Sequence, residues 1–459
     1  MNDLTTGSLA RHLFATAGFM LFTMVFQTLY FLADLYWMGR LGREAVAAVG
    51  VAGNLTFIVL ALTQMLGVGT TTLVAHAVGR KDPDAARRVF NQAQSLSIVI
   101  AILFLIVGLA LTPAYARAFS ADAATAALVR EFLWWFVPAM ALQFAMIAVS
   151  SALRGMGDFK PGMIVGSTTV ALNMALAPVF IFGWGTGVPM GVAGAALSSF
   201  VAVAVGVAWL YWYAERPGSF LRVRRDEMVP DLASWKRLLS IGLPAGVEFA
   251  LIAVYLGVVY IVSQPFGAAA QAGFGIAQRV GQAGFMPIVA LGFAVAPVAG
   301  QNFGAGRPDR VRATFRIAAQ LSVAGMSLFV ILCQLFPGAM IRVFSTDPAV
   351  VAVGEEYLRI VSWNYIAAGL VFVTSSMFQA MGNTRPSLIT SAIRAVVVAI
   401  PTLALARLPG FHLTWVWYLT VVSVTLQMAL GLWLLRREYR IRLGPLEAPG
   451  PVVAQPSTA

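Results

Sequence analysis

Charged residues are scarce in this 459-residue chain: only 11% are Asp, Glu, Lys or Arg, against about 25% in a soluble domain. With 59% hydrophobic residues and a mean hydropathy of +0.81, it lacks the polar surface to stay in water. Cysteine is nearly absent. The single Cys333 excludes an intramolecular disulfide and any cysteine-based metal cluster. His12, His76 and His412 are far apart and show no ligand spacing. No lysine follows a glycine, so there is no GxxxxGKS/T phosphate loop and ATP is not the direct energy source. A nucleophile elbow, an HExxH motif and paired catalytic carboxylates are also missing, which disfavours a membrane-embedded enzyme or channel. No short apolar stretch followed by a cleavage site opens the chain; its first apolar segment runs on as a span. The formal charge of +12 would suit nucleic acid. The basic residues lie in short loops between apolar runs, however, so no nucleic-acid partner is expected.

Long apolar runs are what the chain does have. A bilayer-crossing helix needs about 20 apolar residues. Turn signals and charges mark twelve such runs, near 13–38, 46–76, 89–112, 126–150, 161–183, 190–213, 236–263, 270–302, 314–337, 351–379, 386–408 and 411–435. The longest polar stretch, residues 215–237, divides them into two groups of six. The groups are copies at an offset of 225 residues: Gly79, Pro83, Asp84 and Arg87 fall on Gly304, Pro308, Asp309 and Arg312. The same offset pairs Gly42 with Gly267, Gly67 with Gly292, Asp122 with Asp347, Glu131 with Glu356, Met156-Gly157 with Met381-Gly382, and Pro161 with Pro386. An even number of spans per copy keeps both halves facing the same way, with a cavity between them. The expected fold is an all-α integral membrane protein of twelve transmembrane helices in two six-helix lobes related by a parallel repeat. Its parts are a first lobe over 1–214, a cytoplasmic linker over 215–235, a second lobe over 236–437 and a disordered cytoplasmic tail over 438–459.

Lysine and arginine placement sets orientation. One set of loops holds Arg80, Lys81, Arg87, Arg88, Arg154, Lys160, Arg222, Arg224, Arg225, Arg307, Arg310, Arg312 and Arg385. The opposite loops hold little beyond Arg40, Arg43, Arg117, Arg130, Arg342 and Arg407. Both termini are therefore expected in the cytoplasm, with the chain in the cell inner membrane.

Inside the spans, polar residues stand out. An ionised group at mid-bilayer costs about 2.5–3.5 kcal/mol on insertion scales, so it normally faces a cavity or a partner. Asp34 lies in the outer half of the first span, on a stripe with Gln27, Tyr30 and Trp37. A carboxylate there suits a group that takes up and gives back a proton. It could equally ligate Na+ with nearby hydroxyl or amide oxygens. The alternative is a structural Asp bonded to a neighbouring helix. Glu248 follows Pro244 in the seventh span, and Arg279 lies in the eighth at similar depth, so the two are expected to form an ion pair, static or functional. The repeat maps Asp34 to Val259 and Glu248 to Thr23, so the lobes have different jobs. Arg394 is expected to snorkel or to bond carbonyls at a bend before Pro401. Asn173 is a buried amide in a helix broken by Pro178. Asn54 heads an NLT sequon but lies within a span, which argues against glycosylation. The cavity is expected to be lined by Gln27, Tyr30, Trp37, Asn54, Asn173, Glu248, Gln278 and Arg279.

The sequence resembles the multidrug and toxic compound extrusion (MATE) family over nearly its whole length. The resemblance is carried by YFLADLYWMGRLGREAVAAVG at 30–50, SSALRGMGDFKPGM at 150–163, ALNMALAPVFIFGWG at 171–185, GVAGAALSS at 191–199 and QNFGAGRPDRVR at 301–312. It implies a V-shaped pair of six-helix lobes that exports organic cations and other amphipathic compounds by alternating access, driven by inward Na+ or H+. Asp34 then matches the family's first-helix aspartate and Asn173 its fifth-helix asparagine. Three departures stand beside these matches. Ala177 replaces an Asp that several H+-coupled relatives carry four residues after the asparagine. FATAGFM lacks the first-helix proline of those relatives. Glu248 sits a turn early for the seventh-helix Glu of Na+-type relatives, and TSSMFQAMG offers no Asp for the tenth helix.

The expected function is therefore a monomeric multidrug efflux antiporter, not an enzyme. Asp34 carries the coupling cation, and serves as a metal ligand only if that cation is Na+. H+ is favoured, because a lone carboxylate can exchange a proton without a full ligand cage. No cofactor is expected, and the partners are small drug-like molecules and membrane lipid. The rival within transport is a lipid-linked saccharide flippase, which would want more cations in the cavity than Arg279 and Arg394.

Overall fold

The computed structural model describes residues 3–120, 122–216, 219 and 221–444, and every regular element among them is helical. The first half holds α1 (Leu9–Leu41), α2 (Arg43–Gly53), α3 (Leu55–Gly79), α4 (Pro83–Phe119), α5 (Ala123–Gly155), α6 (Lys160–Phe182) and α7 (Gly191–Ala214). The second holds α8 (Leu232–Ser263), α9 (Gly267–Gly304), α10 (Pro308–Leu335), α11 (Pro337–Arg342), α12 (Pro348–Val361), α13 (Asn364–Ala380), α14 (Arg385–Leu405) and α15 (Leu413–Arg442). The stretch expected as a linker holds a 3-10 turn at Asp226–Met228. Of the expected tail, 445–459 lies outside the described residues, while α15 itself runs on to Arg442.

Ten segments among the described residues are long and apolar enough to cross a membrane, or eleven when α12 and α13, bent by 56°, count as one span. One of the ten, Leu232–Gly304, is 73 residues long. At 1.5 Å per residue that is about 110 Å, far beyond a bilayer. It holds two crossings, α8 and α9, separated by the 3-10 turn Gln264–Phe266. Divided there, the count reaches the expected twelve. Two expected spans are broken. The one at 46–76 parts at Asn54 into α2 and α3. The one at 351–379 parts after Val361 into α12 and α13.

The repeated residues turn out to be helix punctuation. Asp122 and Asp347 cap the equivalent helices α5 and α12, accepting from the backbone N–H of Thr125 and Ala349. The Thr125 N–H holds the Asp122 carboxyl below the usual carboxylate range. Gly157 and Gly382, at φ of +78° and +73°, end α5 and α13 with the same bonds. Asp158 N–H donates to Leu153 O and Asn383 N–H to Phe378 O, both at 2.9–3.0 Å, the Schellman pattern that an αL glycine permits. Pro161 and Pro386 open α6 and α14.

In the first lobe α5 packs on α3, α4 and α7; in the second α9 packs on α10, α12 and α13. The helix α1 belongs to both. Leu9 and Leu13, with Leu4 ahead of the helix, are buried against Leu291, Val295 and Val298 of α9. Its far half packs on α6 and α2, where Met38 enters the first lobe's core.

The lobes meet where α3 lies against α8 and α9. Lipid tails are as apolar as leucine, so helix association in a bilayer rests on close fit and hydrogen bonds. Five glycines supply the fit. A Cβ on Gly69 would stand 2.5 Å from Leu238 O, and one on Gly246 2.6 Å from Ala61 O. Gly242, Gly79 and Gly304 are held as tightly against the carbonyls of Met65, Gln301 and His76. Hydrogen bonds cross the same seam. Thr72 Oγ1 donates to Gln379 O (3.1 Å), His76 Nε2 to Ala380 O (2.6 Å) and Gln301 Nε2 to Gly155 O (2.9 Å). The Gln301 Oε1 accepts from Leu4 N–H at 3.1 Å, tying the start of the chain into the seam. Toward the opposite end, no cross-lobe side-chain hydrogen bond is found among the described residues.

Candidate functional site

The far half of α1 carries Gln27, Tyr30, Asp34 and Trp37 along one stripe. The Tyr30 hydroxyl lies 3.1 Å from Ser199 Oγ of α7. Asn173 of α6, itself buried, donates from Nδ2 to Ser199 Oγ (2.9 Å) and Ser198 Oγ (3.3 Å). Both serine hydroxyls donate to Ala195 O, at 2.7 and 3.2 Å. With its hydrogen spent there, Ser199 is the acceptor and Tyr30 the donor. A polar chain thus crosses three helices, from Tyr30 to Ser199 to Asn173.

Asp34 sits beside that chain, close enough for its charge to act on Tyr30. It is half-buried, and no hydrogen bond or ion pair from a described residue reaches its carboxylate. Arg40, six residues on, points elsewhere: its guanidinium lies over the Tyr36 and Trp37 rings at 5.2 and 5.9 Å. The carboxylate is neither neutralised by a fixed cation nor locked to a neighbouring helix.

The other expected lining residues are scattered. Gln27 is exposed and unbonded. Trp37 joins an aromatic cluster with Phe182 and Trp184, at 5.9 and 5.8 Å. Asn54 is exposed at the break between α2 and α3, beside Tyr115. Gln278 Oε1 accepts from the Tyr357 hydroxyl at 2.8 Å.

Glu248 does not pair with Arg279. Its Oε2 accepts from Ser387 Oγ (2.8 Å) and Ser375 Oγ (3.3 Å), and its Oε1 from Ser391 Oγ (3.0 Å). Gln427 Nε2 donates in turn to Ser391 Oγ at 3.0 Å. The two residues share a depth, but Arg279 is exposed and makes no bond to Glu248. Arg394, expected to snorkel or to bond carbonyls before Pro401, lies over the Tyr255 ring at 5.2 Å. Among the described residues, no group of three or more His, Cys, Asp or Glu could hold a metal ion.

Two pseudo-equivalent bundles with a polar site inside each and a seam at one end are the plan of a polytopic membrane carrier. The MatE family model matches residues 20–179 and 244–405, two stretches whose starts lie 224 residues apart. The chain belongs to that family, and as a member it is a multi-pass membrane transporter and not an enzyme. A probable multidrug resistance protein of Bacillus subtilis (strain 168), YpnP, is 27% identical over 88% of this chain and 89% of its own length. An FAD transporter of Shewanella oneidensis is 24% identical over 82% of this chain and 83% of its own. A MATE family transporter solved in its outward-facing conformation superposes with a TM-score of 0.87, covering 97% of this chain and 98% of that one at 24% identity.

Proposed function

We propose that the protein is a cation-coupled multidrug efflux antiporter of the inner membrane. It works as a monomer with both termini in the cytoplasm. It exports amphipathic, often cationic, organic compounds in exchange for H+, with Na+ the alternative ion. The observation that carries this reading is the Asp34 carboxylate, half-buried and unpartnered beside the Tyr30–Ser199–Asn173 chain. A cation arriving at Asp34 cancels its charge and frees Tyr30 to reorient. A cationic cargo then loses its attraction and leaves. Because α1 packs on the first lobe with its far half and in the second lobe's core with its near half, the change at Asp34 reaches the seam through one helix. Ion and cargo must weaken each other's binding by the same factor. With the N-terminus cytoplasmic, the seam closes the cytoplasmic side and the cavity opens outward.

The test is transport in proteoliposomes under separate H+ and Na+ gradients. Asp34→Asn is expected to reduce ion-driven efflux of a lipophilic cation to background while the protein still reconstitutes. Undiminished efflux in that variant sinks the reading. A second reading makes the cargo anionic. It is favoured by the exposed Arg279 on α9, which no described acidic group pairs, and by the relative named an FAD transporter. Efflux of FAD but not of the lipophilic cation, lost in Arg279→Ala, would select it.

A further inference from the structure

A recess of about 470 Å³ opens on the flank of the first lobe, at the end of the bundle where α4 stops and α5 begins. Leu109 and Pro113 of α4 and Trp134 and Trp135 of α5 wall it, with Arg130 and Glu131 beside them. None of Tyr30, Asp34, Asn173 or Ser199 lines it. The size is that of a small-molecule site.

Two things say what it holds. First, Arg130 and Glu131 are both exposed, and neither makes a hydrogen bond or ion pair with any described residue. As neighbours on a helix they point about 100° apart and do not neutralise each other. The internal repeat supplies the control. At the same offset in the second lobe stand Glu355 and Glu356, and both are satisfied. Glu355 Oε1 accepts from Arg359 at 2.8 Å, and Glu356 Oε1 from Thr414 Oγ1 at 2.5 Å. In the first lobe Trp134 stands at the position of Arg359 and lines the recess, and neither Arg130 nor Glu131 has a partner among the described residues. Ala193 of α7 lines the recess with a side chain too small to fill it. Second, the face of α4 leading to the recess is bare and apolar: Ile102, Leu103, Ile106, Val107 and Leu111 are 50–61% exposed. The recess therefore opens onto acyl chains rather than onto the cavity between the lobes.

We propose that this recess binds the headgroup and upper acyl chain of a zwitterionic, ethanolamine-type phospholipid from the adjoining leaflet. The Arg130 guanidinium takes the phosphate oxygens in a two-pronged bond. Glu131 takes the ammonium. The acyl chain lies over Leu109 and Pro113, and the tryptophans sit at headgroup level, where such rings collect.

The test titrates the intact, detergent-solubilised protein with an equimolar mixture of phosphatidylethanolamine and phosphatidylglycerol and counts retained lipid by native mass spectrometry. Wild type is expected to prefer the ethanolamine lipid by about tenfold, the scale of one charge-assisted hydrogen bond. Glu131→Gln should abolish that preference while keeping binding, because Arg130 takes either phosphate. Arg130→Gln should weaken retention of both. In parallel, brominated phosphatidylethanolamine should quench wild-type fluorescence more than that of the Trp134→Phe/Trp135→Phe double variant. No headgroup preference in wild type, a preference untouched by either charge variant, or equal quenching with and without the two tryptophans would overturn the proposal.

Discussion

A carboxylate inside a membrane protein has two stable fates: a permanent partner, or water and a mobile ion. Glu248 has the first, held by three serine hydroxyls; Asp34 has no such partner among the described residues, as the proposed coupling role requires. The Tyr30–Ser199–Asn173 chain depends on one acceptor, Ser199 Oγ. Ser199→Ala leaves the Tyr30 and Asn173 donors without it, at a cost of about 1–3 kcal/mol. Thermal unfolding of the purified protein should fall by several degrees, and the ion concentration giving half-maximal efflux should shift. No change in either measurement would reduce Ser199 to packing. Asp34 and Asn173 were legible in the sequence because a charge and an amide stand out in an apolar run. Ser199 was not, because a serine in a small-residue helix is ordinary and its partner Tyr30 is 169 residues away. The expected Glu248–Arg279 pair failed for a related reason. Counting residues along a helix gives depth, but which way each side chain faces depends on how the helices are rotated against their neighbours.

Among the elements, α3 decides how the two halves meet. It presents bare backbone to α8 and α9, with Gly242 the tightest of the five glycine positions. A methyl group there cannot be absorbed by a flexible side chain, since it meets the Met65 carbonyl. Gly242→Ala is expected to shift the population away from the closed seam, read as a longer distance between spin labels on α3 and α8. An unchanged distance distribution would mean that the helices relax around the methyl. The helices themselves were largely visible beforehand, since their caps recur at the 225-residue offset: Asp122 with Asp347, Gly157 with Gly382, Pro161 with Pro386. The breaks at Asn54 and in the α12–α13 pair were not. Gly53-Asn54 and Ser362-Trp363-Asn364 mark them, but one or two polar residues in an apolar run are also tolerated within a straight helix.

At the scale of the whole molecule, the proposed alternating access requires the seam to open once per cycle. Thr72 and Gln379 face each other across it, the hydroxyl of one on the carbonyl of the other. With Cys333 replaced by alanine, a Thr72→Cys/Gln379→Cys pair should form a disulfide on oxidation. Efflux should fall to background and return on reduction. Full efflux from the cross-linked protein would show that the lobes need not separate there. The two-lobe plan was readable from the internal repeat, but the identity of the closed end was not, because it depends on contacts between copies rather than within them. Those contacts also bear on speed. Interlocked side chains must be drawn out of one another before two faces can part, and each must find its rotamer again on return. Faces made of glycine backbone carry no such teeth. At those contacts, parting the lobes draws out no side chain, and the hydrogen bonds of Thr72, His76 and Gln301 are what an opening has to break.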